Sequence, residues 1–533
     1  MPRLRSAPPA KAKKGFVLQK PNGLLTPRVQ AVGPEHFGIL AIDCAKARSR
    51  YFLADFYGRV LLEPTTLPHQ RGDLQAAVDR VRQAMRQHHL ADLVVAIERT
   101  GEYHRPVQLA FRQAGFETRL VHPFTSKHYR QPADPGNKTD DTDLAAICRA
   151  TTHGFGLLEP TWPDDYLTIQ LLRRHRRDLV DKNAMLQCQI REVLHAAMPG
   201  YAECFCHLWD DSPAPLVFAR HTTSAQAVRQ QGVAGLEQIA RQEGLRCRAE
   251  TFHKILAWAT QAPPDAGHSA DRRRVLVSLD DDRLAKTQQI LELERDLAHR
   301  VVHTPYLLLL AIPGINIVSV ADLAGELGPL SLYLNANAIT GRSGLVPTRY
   351  QSDQVDCANG PLRRRGNRRL RAVLMQTADN LVQCNHYFRA RAGQWTRAGK
   401  DPRWVRVKVA KIFSRLAFAM VAGRQWFPHP CCQQRHYVIG KLLSFHSEHA
   451  TELKALRHDL EVAAEQLPPK QRAIEAEPLQ QQLDALAKRR GVQPLAAIIP
   501  WCWLGWPAGW YNRGPVRVRG PSRSSRVGGP TTP

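Results

Sequence analysis

The sequence predicts an N-terminal α/β domain, a helical coiled-coil middle and a mostly helical C-terminal domain. Short apolar, β-prone runs alternate with amphipathic helical spacing near the N-terminus. Leucines then recur every seven residues, and a basic, glycine-punctuated helical stretch follows. Because 533 residues exceed one ordinary domain, we expect several segments. These are a basic disordered tail (1–35), the α/β domain (36–156), a helical linker (157–304), the C-terminal domain (305–430), and a helical extension with a disordered tail (431–533).

Each element of the α/β domain has its own pattern. Residues 36–57 contain two β-prone runs, HFGILAID and RYFLADFYG, separated by a short polar turn. Apolar residues at helical spacing predict a helix over 73–90, and LVVAIE (93–98) is typical of a buried strand. Pro106 fits the first turn of the next helix, and TRLVHP (118–123) predicts another strand. This order of elements indicates a layered α/β domain.

Two long helices are predicted in the middle of the chain, over residues 165–195 and 281–303. Leu172 and Leu179 begin a seven-residue spacing in the first, and Leu284 and Leu291 show it in the second. This spacing is typical of coiled coils, so the helices are expected to pair with each other or to dimerise the protein. Ordinary core-facing helices fit the short pattern as well.

The net charge indicates a polyanionic partner. The chain carries 74 Lys and Arg against 48 Asp and Glu, a formal net charge of +26. Nucleic acid is the expected partner, because cationic side chains that neutralise phosphates release condensed counterions. A membrane is not expected, since the longest apolar run stops at Pro313-Gly314. The 11 scattered cysteines are typical of free thiols in a reducing cytoplasm, and no apolar signal core follows the basic N-terminus.

Four acidic residues occupy positions that suit a metal-dependent nuclease. Two follow or end predicted central strands, whose carboxyl ends meet at one crevice, and two lie three apart at a predicted helix start. Carboxylate oxygens are ligands that Mg²⁺ prefers, and two such ions can stabilise the attacking and leaving oxygens of a phosphodiester. These candidate catalytic and metal-binding residues are Asp43, Glu98, Asp140 and Asp143. Taken singly, each also fits a helix cap or solvated turn, and Asp141 competes with its neighbours.

The C-terminal domain combines a turn, a serine and a cluster of cationic residues. LLLAIPGIN (308–316) suggests a helix–hairpin–helix-like element whose amides can face a DNA phosphate. The run over 343–374 places a serine in a polar loop before basic residues, where guanidinium groups would draw in a phosphate for serine attack. A solvated basic face is the alternative, and Ser343 and Ser352 compete as nucleophiles. The candidate nucleic-acid-binding residues are Arg363, Arg364, Arg365, Asn367, Arg368 and Arg371.

Together these motifs resemble the insertion-sequence 110 family of DEDD transposases, which includes pilin-gene DNA invertases. The resemblance rests on AIDCAK, ERTGEYHRP and NKTDDTDLAAI, then on IPGI, GLVP, QS and RGNRRLR, and covers about residues 36–430. It implies a RuvC-like, RNase H-like N-terminal domain whose metal-binding tetrad is the four acids above. It also implies that the nucleophile is Ser352. The family usually has Gly after this serine, whereas Asp353 stands here.

The resemblance further implies the activity and partners. It implies a bacterial cytoplasmic, nucleoid-associated transposase that cleaves and rejoins donor and target DNA with Mg²⁺. A bridge RNA would guide it, and a homo-oligomer, a dimer or tetramer with composite active sites, would be the working unit. Three alternatives stay open: a site-specific DNA invertase, a Holliday-junction-type nuclease, and an inactive nucleic-acid-binding derivative.

Overall fold

The computed structural model describes most of the chain in two compact units. The described residues are 21–131, 136, 138–209, 212–264, 267–352, 355–357, 360–363, 366–426, 429–433, 435–468 and 477–493. The units divide between Thr161 and Trp162. Within these described ranges, no helix is long and apolar enough to span a bilayer. The tails predicted before residue 21 and after residue 493 lie outside the described residues.

The first unit is built on a six-stranded mixed sheet with the order β3-β2-β1-β4-β5-β6. Strand β2 is antiparallel to β1 and β3, whereas β4 is parallel to β1 and β5 is parallel to β4. The strands are β1 (Phe37–Cys44), β2 (Arg48–Asp55), β3 (Val60–Pro68), β4 (Asp92–Glu98), β5 (Glu117–Val121) and β6 (Leu157–Leu158). The helices are α1 (Thr26–Val32), α2 (Arg71–Gln87), α3 (His104–Gln113), α4 (Pro123–Arg130) and α5 (Asp140–Thr152).

Helices cover both faces of this sheet, which explains why its central strands are continuously apolar. On one face Leu40 and Ile42 of β1 join the core that contains Val78 of α2. On the opposite face Ile39 of β1 joins a core that contains Leu144 of α5. The predicted α/β domain is therefore confirmed, and alternate residues of β1 serve two separate cores.

Helix α1 lies in the segment that the sequence analysis assigned to a disordered tail. Its Val29 is buried in the core beside α5. Arg28 forms ion pairs with Asp92 and Glu117, both at 2.6 Å. The tail expectation is wrong for residues 26–32, because these contacts tie the segment to the starts of β4 and β5.

The second unit is mostly helical, as predicted. Its described helices are α6 (Asp164–Ala197), α7 (Ala214–Thr222), α8 (Ala225–Gln242), α9 (Ala249–Gln261), α10 (Ser269–Val301), α11 (Ile317–Leu327), α12 (Ala336–Ser343), α13 (Arg368–Cys384), α14 (His386–Arg397), α15 (Pro402–Gly423), α16 (Arg435–Glu448), α17 (Leu453–Gln466) and α18 (Glu477–Arg489). A two-stranded antiparallel ribbon, β7 (Tyr350–Ser352) and β8 (Val355–Cys357), lies between α12 and α13.

Helices α6 and α10 pack antiparallel, but the predicted heptad spacing does not describe their contact. Polar pairs cross between them, including Arg176 with Glu294 and Asn183 with Thr287. Leu284, an expected seam residue, is 46% exposed. A coiled coil is therefore not confirmed, because leucine spacing alone does not fix which face a long helix buries. Helices α7, α8 and α9 form a separate apolar core with the far end of α6.

The main core of the second unit surrounds a short buried 3₁₀ helix, Pro305–Ala311. Helices α11, α13 and α15 contribute to this core. Leu442 of α16 and Leu456 of α17 also belong to it. Much of the predicted C-terminal extension thus packs into the same core as the segment over residues 305–430.

Candidate active site

Strand register brings two of the predicted acids side by side. Ile42 of β1 pairs with Ile97 of the parallel strand β4, so Asp43 and Glu98 leave adjacent strands at the same level. Asp43 continues the sheet face of Ile39 and Ala41, which is the face that α5 covers. The expectation that these two side chains share one sheet edge is therefore met by the geometry.

The other two acids lie at the start of α5. Thr139 caps this helix by accepting a hydrogen bond from the amide of Thr142, and the Thr142 side chain accepts one from the Thr139 amide. Asp140 is exposed, whereas Asp143 is 8% exposed and faces inward. Because Leu144 packs against the β1–β4 face, α5 carries Asp143 towards the ends of these strands.

Burial and mutual repulsion disfavour the charged forms of the two strand acids. The pKa of Asp43 is raised by burial and by the negative charges of Asp143 and Asp140, while Lys138 opposes the rise. Burial also raises the pKa of Glu98, and Asp43 and Asp143 add to the rise. A hydrogen bond from Ser126 acts in the opposite direction. Like charges held this close favour either protonation or a bound cation.

Basic and polar neighbours partly satisfy the acids. The buried Ser126 hydroxyl donates to Glu98 at 2.8 Å, and Arg130 forms an ion pair with Asp143. Both neighbours lie on α4, an element that the sequence analysis did not predict. Asp141, the competing candidate, is exposed and pairs with Arg50 at 2.7 Å.

The donor set fits a hard divalent cation by its chemistry. Four carboxylates offer oxygen ligands, and burial raises the pKa values of Asp43 and Glu98 although Lys138 and Arg130 oppose the rise. In the described part of the chain, however, no three His, Cys, Asp or Glu side chains are positioned to hold a metal ion. Arg130 supplies a counter-charge to Asp143 instead. A bound cation would compete with this guanidinium.

In the second unit Ser352 lies at the end of β7 and its side chain is exposed. Ser343, the competing serine, is fully buried, and its hydroxyl donates to the carbonyl of Thr340 at 3.0 Å. Only Ser352 of the two is therefore accessible to a large substrate. Asp353, the departure from the family pattern, lies outside the described residues.

The chain leaves the helical core at Gly344 and returns to it at Gly366. Gly366 has a φ of +138°, and a Cβ there would lie 2.9 Å from the Gly344 nitrogen. A larger residue would push the two ends of this excursion apart. We call the residues from 344 to 366 the serine loop.

The predicted basic residues divide into exposed and structural members. Arg363 and Arg368 are exposed, whereas Arg364 and Arg365 lie outside the described residues. Asn367 caps α13 and donates to Glu326 at 2.8 Å. Arg371 donates to the carbonyl oxygens of Ser343 and Arg363, at 2.8 and 2.7 Å. Hydrogen bonds donated by Asn367 and Arg371 thus hold the ends of the serine loop.

Glu326 anchors this arrangement from α11, and the sequence analysis missed it. Its side chain is fully buried and binds Arg173, Arg174 and Asn367. Arg173 also binds Asp322 at 2.8 Å. An acid within an apolar helical stretch was the available signal, because such a residue is seldom buried without a partner.

Two family models, both of transposases, match parts of this chain. Residues 40–199 match a family model described as a transposase, of the DEDD type of IS110 elements. Residues 306–392 match a second family, described as "Transposase IS116/IS110/IS902 family". The first match includes all four acids, and the second includes Ser352. These matches support an IS110-family transposase, and the N-terminal sheet is consistent with the RuvC-like fold expected of that family.

One curated relative supports the same assignment. The chain is 29% identical over 131 residues to the "Transposase for insertion sequence element IS1328" of Yersinia enterocolitica. The aligned region covers 24% of this chain and 39% of that relative. The chain thus spans about two fifths of the length of the relative that it matches.

Proposed function

We propose that this chain is a DNA transposase that cleaves and rejoins strands during movement of an insertion sequence. The observation that carries the proposal is the placement of Asp43 and Glu98 at the ends of adjacent strands, where burial and the negative charge of Asp143 raise the pKa values of both acids. Carboxyl groups whose pKa is shifted by burial and by neighbouring charges are typical of functional sites. The family matches and the net charge of +26 support DNA as the substrate.

The acidic residues would hold Mg²⁺ through Asp43, Glu98, Asp140 and Asp143. Bound Mg²⁺ would supply Lewis-acid stabilisation of the oxygens that gain charge at the scissile phosphate. Ser126 orients Glu98 through the hydrogen bond that it donates. Arg130 holds Asp143 and neutralises part of the local negative charge.

Ser352 would act as the nucleophile. Its Oγ forms a bond to phosphorus and loses its proton to solvent, while the bond from phosphorus to one sugar oxygen breaks and that oxygen takes up a proton. A sugar hydroxyl of another strand then attacks the phosphoserine, which restores the phosphodiester and the serine. The exposure of Ser352, against the buried hydroxyl of Ser343, supports this assignment.

The partners would be donor and target DNA together with a guide RNA, and the working unit a homo-oligomer. The cationic surplus supports binding of either nucleic acid, since both are recognised first through phosphates. We also propose that the protein acts in the bacterial cytoplasm, in association with the nucleoid.

Strand exchange between donor and target DNA tests the proposal, with co-purifying RNA retained and Mg²⁺ added or withheld. We expect exchange by the wild type only with Mg²⁺, and a loss of about 10³-fold in Asp43→Asn. Ser352→Ala should abolish both exchange and the covalent protein–DNA adduct. Asp141→Asn and Ser343→Ala are the matched controls and should keep most activity.

Three outcomes would change the proposal. Exchange by Ser352→Ala but not by Asp43→Asn would show metal-dependent chemistry without a serine adduct. Exchange confined to inverted sites within one molecule would indicate a DNA invertase. Cutting of branched DNA without rejoining would indicate a junction nuclease. Binding without any cleavage would indicate an inactive derivative.

A further inference from the structure

Three backbone carbonyls around the Pro313-Gly314 turn converge on one side chain. The Lys441 ammonium, on α16, donates to the carbonyl oxygens of Leu310 and Ile312, both at 3.1 Å. It also donates to that of Ile315 at 2.7 Å. Leu310 belongs to the buried 3₁₀ helix, whereas Ile312 and Ile315 lie between that helix and α11, so Lys441 bridges both sides of the turn.

Neighbouring carbonyls of the same turn are also satisfied from distant segments. The Gln433 amide donates to Ala311 at 2.7 Å, and the Asn385 side chain donates to Pro313 at 3.3 Å. Buried carbonyls need such partners, because an unpaired one costs as much as a lost hydrogen bond. These carbonyls of the turn therefore accept hydrogen bonds from donors that lie after position 384.

The turn is also held in a conformation that few residues adopt. Gly314 has a φ of +96°, and a Cβ there would lie 3.0 Å from the carbonyl oxygen of Asn380. The backbone is thus fixed on its α13 side by close packing and on its α16 side by Lys441. The three carbonyl oxygens keep their convergent arrangement as a result.

The contact has the chemistry of a cation site. An ammonium has three N–H donors for three carbonyls, whereas a neutral amine has two. The Tyr437 ring adds a cation–π contact at 4.6 Å from Nζ. Burial opposes these attractions and lowers the pKa of Lys441 to about 7, so the side chain is mainly charged only in mildly acidic solution. Rings of carbonyls likewise bind K⁺ by replacing its hydration shell.

We propose that the carbonyls of Leu310, Ile312 and Ile315 form a site for a monovalent cation of ammonium or potassium size, which Lys441 fills from within the chain. Lys441 lies beyond the region 306–392 that matches the family model. This proposal does not depend on the proposed enzymatic function. Through Lys441, helix α16 contributes to the structure of the segment 306–392 that matches the family model.

Thermal unfolding of full-length Lys441→Ala in different chlorides tests this site. We use LiCl, KCl and NH₄Cl at matched ionic strength and mildly acidic pH. In LiCl the variant should melt about 4 °C or more below the wild type. KCl and NH₄Cl should restore at least half of that loss, because these ions match the vacated site in size. The wild type should melt alike in all three salts.

Two further variants keep the test decisive. Lys454→Ala removes an exposed lysine of α17 and should show no preference among the salts. Lys441→Met keeps the apolar stem and should lose stability in LiCl; a melting temperature equal to the wild type would overturn the proposal. Equal melting of Lys441→Ala in all chlorides would also overturn it. If Lys441→Ala does not fold in LiCl, equally poor refolding of this variant in KCl would overturn the proposal.

Discussion

The acidic centre of the first unit and the serine loop of the second unit are built in different ways. Asp43 and Glu98 extend from adjacent central strands, so the strand register sets their spacing. The exposed Ser352 lies on a short two-stranded ribbon, and polar contacts tie the ends of the serine loop to the helical core. One centre is thus fixed by regular backbone hydrogen bonding, and the other by a few polar side chains.

Buried acids in the two regions also titrate in opposite directions. The pKa of Asp43 is raised by burial and by the negative charges of Asp143 and Asp140. Burial would raise the pKa of Glu326 too, but the Asn367 hydrogen bond and two arginines outweigh it, so that pKa is lowered. Glu326 is therefore a satisfied structural acid, whereas the positive charge of Lys138 does not outweigh the burial of Asp43. This contrast separates a candidate metal ligand from a structural ion pair.

The largest expected effect is the loss of Glu326. Glu326→Ala would leave the buried Arg173 with Asp322 alone, and should lower the free energy of unfolding of the second unit by about 3–5 kcal/mol. All ten tryptophans lie at or after position 162, so tryptophan fluorescence during urea unfolding reports this unit. Asp322→Asn, at a more exposed partner, is the milder control. A Glu326→Ala loss below 1 kcal/mol would contradict the anchoring role.

The next effect is the pH dependence caused by Lys441. Its folded pKa of about 7 lies below the ordinary lysine value of 10.5, so the unfolded chain binds more protons between these values. Stability should therefore rise with pH, by roughly 2 kcal/mol between pH 7 and 9. Cys384 and Tyr437 also face this group, and burial raises the pKa of Tyr437. Lys441→Met should remove the rise; an unchanged pH profile would exclude Lys441 as its source.

A smaller effect is expected for binding of Mg²⁺ at the acidic centre. Mg²⁺ should slow hydrogen exchange of β1, β4 and α5 in the wild type, and more so in Arg130→Gln, where no guanidinium competes for Asp143. We expect the gain in metal-induced stabilisation to be about 1 kcal/mol. Asp43→Asn should remove the effect of Mg²⁺. Identical protection in the wild type and Arg130→Gln would show that Arg130 does not compete with the metal.

The smallest effect concerns the cap that orients Asp140 and Asp143. Thr139→Ala removes the side-chain acceptor for the Thr142 amide and should lower the stability of the first unit by about 0.5–1 kcal/mol. Exchange of the α5 amides measures this loss, while tryptophan fluorescence of the second unit should not change. Thr139→Ser keeps the acceptor and should behave like the wild type.

Much of the first unit could be predicted from its sequence, and the missed elements share a cause. Strands β1 and β4 are buried on both faces, so their apolar runs are unambiguous. Strand β3 was missed because it is half exposed and contains Pro64, which weakens the strand pattern. Helix α1 was missed because Arg28 is anchored by Asp92 and Glu117, far away in sequence.

The candidate site shows the same division. Asp43, Glu98 and the acids of α5 could be located because strand ends and helix starts are readable in sequence. The roles of Ser126 and Arg130 could not, because the strand predicted over 118–123 extended into the start of the short helix α4. In the basic block, charge alone did not separate exposed Arg368 from the structural residues Asn367 and Arg371.

The sequence by itself determined the family, the acidic residues, the order of the main elements and the cationic surplus, because these follow from residue type and short-range spacing. Only the tertiary structure decided that Ser343 is buried, that Glu326 holds the loop end and that Lys441 closes the Pro313-Gly314 turn. These contacts join residues far apart in the chain. Their energy depends on burial and hydrogen-bond geometry, which no local pattern encodes.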